Sequence, residues 1–477
     1  MKHNKDCQHT GNRLFRGPEL SRRAFARLTG TGLVASWFLP SLAAATTHKQ
    51  ALDVPTLSTA KNVIFITLTG APSHVDTFDL KEGAWTPSKL QPTSYGEIRW
   101  PRGLMPKLGD HLNKIAIVRS CLAWAAVHDI AQLWAQIARN PASALGAIAP
   151  HMGSVVSLEL ESRRDPARDV LPTFLSFRAT SGAVLRSGGY FPSSYAPFTM
   201  PQPKPEGTPL FAHQAGNERF ARRWALLDKL DGAARRDAAY GKDASDADLL
   251  YRQARALTES SDVGALMKYD QTAASRYVYE RDPYGYGAMF LIAYRVLAAR
   301  RGTRFIHLTG LDWDHHAEIY SEDSAQFNLR SESSKLDLAL SSLITDLANT
   351  PGETAGKTLL DETLIVVGGE FGRTVGALNP SKGRDHHLRH SILFAGGGVR
   401  GGRTIGKTDA MGEGLVEAGW GSDPTRDTRA EDVAATIYSA LGIDYTTWRT
   451  DDPLRRGFEY VPLARSGYYK PIDALFS

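Results

Sequence analysis

The chain has 477 residues, of which 42% are hydrophobic, with 43 Gly and 25 Pro; this suits one large or two ordinary globular domains and excludes a disordered, collagenous or disulfide-stapled chain. The formal charge is +5, but the excess sits in the first 45 residues, where Lys2, Lys5, Arg13, Arg16, Arg22, Arg23 and Arg27 oppose only Asp6 and Glu19. The remainder is electrically balanced, so a nucleic-acid partner loses its electrostatic basis.

The N-terminus has the form of an address. Ser21-Arg22-Arg23-Ala24-Phe25, a weakly apolar run from Leu28 to Leu42, and Ala43-Ala44-Ala45 make up a twin-arginine signal pattern. Pro40 interrupts the run, which falls short of the roughly 20 residues that span a bilayer. A leader over residues 1–45 is therefore expected, with the twin-arginine export machinery as partner, a periplasmic or secreted destination and no stable membrane span. Cys7 goes with the leader, and Cys121 alone cannot form an internal disulfide.

After a linker over 46–61, Asn62 to Thr69 (NVIFITLT) is a continuous apolar, β-branched run ending at Gly70-Ala71-Pro72, which reads as a buried strand feeding a loop. Similar runs recur at Ile115 to Val118, Arg304 to Thr309, Thr363 to Val367 and Ser391 to Ala395. Between them the helical period predicts helices over Ile130 to Arg139, Met152 to Ser162, Ala288 to Arg300, Ser324 to Asn349 and Glu431 to Leu441. The alternation predicts an α/β domain over 62–477, its mostly parallel sheet sandwiched by helices, with ligands bound beyond the carboxyl ends of the strands. Residues from about 181 to 282 break the rhythm and read as an inserted helical and loop cap. Its aromatic residues Tyr190, Phe191, Tyr195, Phe198 and Phe211 suit a packed loop better than a substrate wall.

Six of the fourteen histidines stand beside acids near strand ends or in loops. Asp312, Asp314, His315 and His316 follow RFIHLT; Asp385, His386, His387 and His390 form a second cluster; Glu370 lies three residues beyond TLIVV; His128-Asp129 opens a helix. Imidazole and carboxylate donors converging from several strand ends are what a divalent transition metal requires, and such a site activates water and holds an anionic ester oxygen. His307, inside a strand, reads as a core residue. Gly401 to Thr408 (GGRTIGKT) matches the phosphate-loop pattern, but Asp409-Ala410-Met411-Gly412 follows instead of a helix, so it reads as a Gly-rich turn. Cys121 reads as a small apolar residue.

The ordered series TGAPSHVDTFD (69–79), WDHH (313–316), GEFGRT (369–374), GRDH (383–386) and AGGGVRGG (395–402) resembles the bacterial exported domain-of-unknown-function family numbered fifteen hundred and one, of the alkaline-phosphatase-like superfamily that includes the sulfatases. The resemblance runs from about residue 62 to 441. It implies an alkaline-phosphatase-like fold and a metal-assisted attack on phosphorus or sulfur. It further implies that Asp314, His316 and His386 form one metal site, with Glu370 at a second, Asp385 replacing an absent imidazole, and Asp76 as a further candidate ligand. Zinc is the first choice of divalent ion, with manganese, iron or calcium as alternatives. For the nucleophile the resemblance points to the run Ser120 to Asp129, in which Ser120 is the sole hydroxyl and His128 sits at the helix entry as ligand, base or nucleophile. Ser73 and direct attack by water remain open. Arg373 or Arg384 would neutralise the anionic oxygen. The expected activity is hydrolysis of a phosphate or sulfate ester carried by a small molecule or carbohydrate; the alternative is a binding or scaffold protein that retains the fold without the reaction.

Overall fold

The apolar runs assemble into one eight-stranded sheet. In the computed structural model its strands are β1 (Asn62–Leu68), β2 (Ile115–Leu122), β3 (Phe174–Arg178), β4 (Phe198–Met200), β5 (Phe305–Gly310), β6 (Thr363–Gly368), β7 (Arg389–Ala395) and β8 (Arg403–Ile405), in the spatial order β8-β2-β7-β6-β1-β5-β3-β4. The described residues are 49–178, 183–207, 217–236, 242–279, 282, 285–310, 312–322 and 328–477. The leader pattern, Cys7 and Phe211 lie outside them, as do residues 46–48 of the linker and the start of the helix expected from Ser324.

Every strand runs parallel to β1 except β7, which is antiparallel to both β6 and β2. This exception decides which residues reach the functional edge. For the parallel strands that edge receives the residues after the strand; for β7 it receives those before it, Asp385 to Leu388. The glycines that follow β7 (Gly396, Gly397 and Gly398) therefore lie at the opposite edge, against Leu360 and Leu364.

Helices cover both faces. They include α1 (His128–Ile137), α2 (Met152–Leu160), α3 (Asn217–Arg236), α4 (Lys242–Glu259), α5 (Tyr286–Ala299), α6 (Leu329–Asn349) and α7 (Ala430–Ala440). Alternate residues of β1 point opposite ways, as the strand period demands. Ile64, Ile66 and Leu68 pack with Phe290 of α5 and with Leu336, Leu340 and Leu343 of α6, whereas Val63 and Phe65 pack with Met152 and Val155 of α2 and with Val433 and Ile437 of α7. The result is the expected sheet between helical layers. No helix among the described residues is long and apolar enough to cross a membrane.

Three strands, β3, β4 and β8, fall where no strand was expected. β4 lies inside the stretch read as an insertion, which thus contributes an edge of the main sheet before the helices α3 and α4. β8 lies inside the GGRTIGKT segment; a turn leads from it to Lys407–Thr408, which pairs antiparallel with Leu415–Glu417, so the segment is strand and turn with no following helix.

Glu362, just before β6, anchors the opposite edge. Its buried carboxylate accepts the backbone N–H groups of Glu353 (2.5 Å) and Thr354 (2.8 Å) and pairs with Lys61 Nζ (2.9 Å). Burial opposes the charge, but the Thr354, Lys61 and Glu353 contacts outweigh it and hold the carboxyl down at about 2. A folded value below the ordinary 4.5 means that the stabilisation is complete above that pH and disappears as pH falls through 2. Glu362→Gln is expected to cost about 2 kcal/mol at pH 7, with the difference from the parent closing as pH drops from 4.5 towards 2; denaturation midpoints across that range measure it.

Candidate metal centre

Five chain segments meet at the edge where the parallel strands end. The loop after β1 carries Gly70 at φ +84°, and a Cβ there would lie 2.5 Å from Asp314 N, so only glycine lets this loop and the one after β5 touch. Trp313 N donates to Thr69 O at 2.9 Å, which fixes Asp314 beside Gly70. Gly383 works similarly, since a Cβ on it would meet the His316 backbone at 2.0 Å, and Arg384 N donates to His315 O at 2.9 Å. His128 enters from the first turn of α1 and Glu370 from the loop after β6.

Three imidazoles surround one carboxylate oxygen. Asp314 Oδ1 lies 3.4 Å from His128 Nε2, 3.0 Å from His316 Nε2 and 3.6 Å from His386 Nε2. The Nε2 atoms of His316 and His386 are 3.0 Å apart, and donor atoms of His128, Asp314 and His386 all fall within 4.8 Å of one another. The far nitrogen of each ring is committed: His128 Nδ1 to Glu370 Oε1 (2.7 Å), His316 Nδ1 to Asp385 Oδ1 (2.9 Å) and His386 Nδ1 to Ala126 O (2.8 Å). An Nδ1–H donated to an oxygen leaves the Nε2 lone pair as an acceptor, so three lone pairs converge with a carboxylate, that of His316 also facing Arg373 Nη1 at 3.3 Å. Ligand bonds of about 2.0–2.1 Å in a tetrahedron put donors about 3.3 Å apart, and the three distances to Asp314 Oδ1 bracket that value. Lone pairs so close repel unless a cation lies among them, and His128 Nε2 is buried without a hydrogen-bond partner among the described residues. The donors thus fit a divalent ion.

The electrostatics agree. The carboxylates of Asp314 and Glu370, one beside each ring nitrogen, push His128 up to about 9, so the cluster favours a positive charge. Burial acts against ionised Asp314, yet its contacts with His128 and Arg373 hold it well below the carboxylate range. Burial lowers His386, and the charge of Arg373 lowers it further. Arg373 is buried and ties the loops together: Nη2 donates to Asp314 Oδ1 (2.5 Å) and to Gly70 O, and Nε to Ala71 O (2.9 Å).

The remaining candidates are placed differently from expectation. Glu370 and Asp385 are brought to the cluster, but each holds a histidine by its outer nitrogen instead of joining the converging donors. Asp76 is kept from it because both its oxygens are occupied by Arg384, Ser73 and Tyr320. Arg384 is fully buried between Asp76 and the carbonyls of Thr374 and Gly376, so no guanidinium face is left for an anion. Ser120 lies buried inside β2, bonded to Thr428 Oγ1 at 2.9 Å, and Ser73 donates to Asp76. Burial pushes the Cys121 thiol upward. Gln132, which approaches Glu370 at 3.4 Å and receives Val184 N at 3.0 Å, escaped the sequence reading, as did the carbonyl of Ala126. Its i+4 spacing from His128 was the only hint for Gln132, and none exists for a backbone oxygen.

Solved structures that align with the chain include the PsFucS1 sulfatase from Pseudoalteromonas sp. (12% identity, 80% of this chain and 68% of that one, TM-score 0.39). Others are the zinc complex of the C-terminal periplasmic domain of EcEptC from Escherichia coli (10%, 87% and 89%, 0.38) and the phosphonate monoester hydrolase SpPMH from Silicibacter pomeroyi (12%, 87% and 76%, 0.36). No curated protein matches the sequence. Residues 60–456 match the family described as protein of unknown function (DUF1501), and the chain belongs to that family.

Proposed function

We propose that the protein is an exported, metal-dependent hydrolase of phosphate or sulfate esters on small molecules or carbohydrates, with one divalent ion held by His128, Asp314, His316 and His386. The observation that carries the reading is the convergence of three Nε2 atoms on Asp314 Oδ1 while each Nδ1 is committed to an oxygen. Three imidazoles with one carboxylate suit zinc, and after it manganese or iron; calcium prefers an all-oxygen shell. Such an ion supplies Lewis-acid chemistry, activating water and withdrawing charge from an ester oxygen. The chain's own groups do the positioning. Glu370, Asp385 and the Ala126 carbonyl orient the rings, Arg373 orients Asp314, and the partly exposed side chains of His316 and Asp314 leave the substrate an approach from solvent. With Ser120 and Ser73 bonded elsewhere, water is the favoured nucleophile.

Purified mature protein is expected to carry near-stoichiometric metal by mass spectrometry and to cleave members of aryl phosphate or aryl sulfate panels, losing activity to a chelator. A second reading, a non-catalytic binding protein, is favoured by the use of Glu370 and Asp385 as ring holders, which leaves them off a second ion. Metal-loaded protein inert on both panels would support it. Glu370→Gln and Asp385→Asn are each expected to weaken metal binding about 10- to 100-fold in competition with a chromogenic chelator; unchanged affinity in both would refute the ring-holding roles.

A further inference from the structure

A pocket lies behind the metal centre, between the sheet, α1 and α7. Phe65, Val366 and Ile392 form its floor, Val433 one wall, and Ala131 and Ala135 its roof. The roof explains the pocket: Ala131 and Ala135 are one turn apart on the inner face of α1, and their methyl groups are too short to fill the space. The mouth is held by Trp124 and Trp134, whose rings stack at 5.6 Å and whose indole N–H groups donate to the two oxygens of Glu431 at 3.1 and 2.9 Å.

Besides Thr67, Thr428 and Arg429, the lining carries two buried polar atoms with no partner among the described residues, Glu370 Oε2 and His390 Nδ1. Glu370 divides its oxygens. Oε1 takes His128 Nδ1, Gly70 N and Gln132 Nε2, while Oε2, on a side chain with no exposed surface, takes nothing. A buried carboxylate oxygen without a donor is costly, so its position beside the pocket calls for a donor brought from outside. Burial keeps His390 neutral, at about 3, and so able to accept a hydrogen bond. A group with several N–H donors and a positive charge meets both atoms, and an alkyl body matches the walls; Arg429, whose guanidinium covers the Trp124 ring at 4.0 Å, spends its Nη1 on Leu122 O and Ala123 O.

We propose that this pocket binds a small primary alkylammonium ion, its nitrogen donating to Glu370 Oε2 and His390 Nδ1 and its alkyl chain packed against Phe65, Val366 and Val433. Butylammonium is the probe, titrated calorimetrically into the full chain in both metal-loaded and metal-free forms, so the result stands apart from the hydrolase reading. One saturable site with Kd on the order of 1 mM is expected, as for a five-atom ligand, with 1-butanol binding at least ~10-fold more weakly because it lacks the charge. Ala135→Leu, which fills the roof with a good helix former and leaves the metal donors untouched, should weaken binding about 10-fold or more with bound metal unchanged. Glu370→Gln should weaken it similarly, and melting curves of both variants confirm folding. Absence of saturable binding, equal binding of 1-butanol, or parent-like binding by folded Ala135→Leu would each overturn the proposal.

Discussion

His128→Ala and Asp314→Ala are each expected to purify with little or no bound metal and to lose ester hydrolysis to background. Structural zinc sites supply roughly 10–16 kcal/mol of apparent binding free energy. Removing one of four ligands takes away about a quarter of that, roughly 3 kcal/mol or more, a loss of at least ~10²-fold in affinity. Activity falls further, because a displaced ion also misplaces the substrate oxygen. His387→Ala is the control: this ring stacks beside His74 and accepts Arg389 N, away from the converging donors, so its removal should leave metal content intact. Metal analysis, chelator competition and ester turnover measured together decide the outcome. Full metal in Asp314→Ala would contradict the assignment of the centre, whereas lost metal with preserved turnover would contradict its role in hydrolysis.

Much of this arrangement was legible in the sequence because it rests on residue type and periodicity. Uninterrupted apolar runs such as NVIFITLT marked strands buried on both faces, and acids beside histidines marked the edge where the centre lies. Three things were not legible, each for a physical reason. The direction of β7 is set by its pairing with β2 and β6, not by its own residues, so the rule that ligands follow strands missed why Asp385 and His386, which precede β7, arrive at the same edge. The exchange of roles between His128 and Glu370 depends on which imidazole nitrogen faces inward, and spacing carries no information about tautomers. The strands β3, β4 and β8 are short, and β4 and β8 sit among Pro or Gly residues, so their periodicity is too brief to stand out.

Asp76→Ala tests the boundary between centre and scaffold. In the sequence this acid looks like a ligand, yet in the structure four donors fill its oxygens: Arg384 Nε at 2.7 Å and Ser73 Oγ at 2.6 Å on Oδ2, Tyr320 OH at 2.7 Å and Arg384 Nη2 at 3.3 Å on Oδ1. Removing the carboxylate leaves the Arg384 guanidinium buried without its counter-charge, and breaking a buried pair from one side costs about 3–5 kcal/mol. The same change loosens the metal centre indirectly, since Arg384 N and O bind His315 O and Arg373 Nη1 and Asp385 and His386 come next in the chain. The measurement is the melting temperature of Asp76→Ala and its parent, each with metal and after chelation. A buried structural pair predicts a deficit of several degrees that persists in the chelated proteins, because it arises from Arg384. A metal ligand predicts a deficit that vanishes once the ion is removed from both. Pairing Asp76→Leu with Arg384→Met should restore part of the loss, since neither charge then remains buried alone; the recovery stays partial because Arg384 also holds the carbonyls of Thr374 and Gly376, which a methionine cannot do.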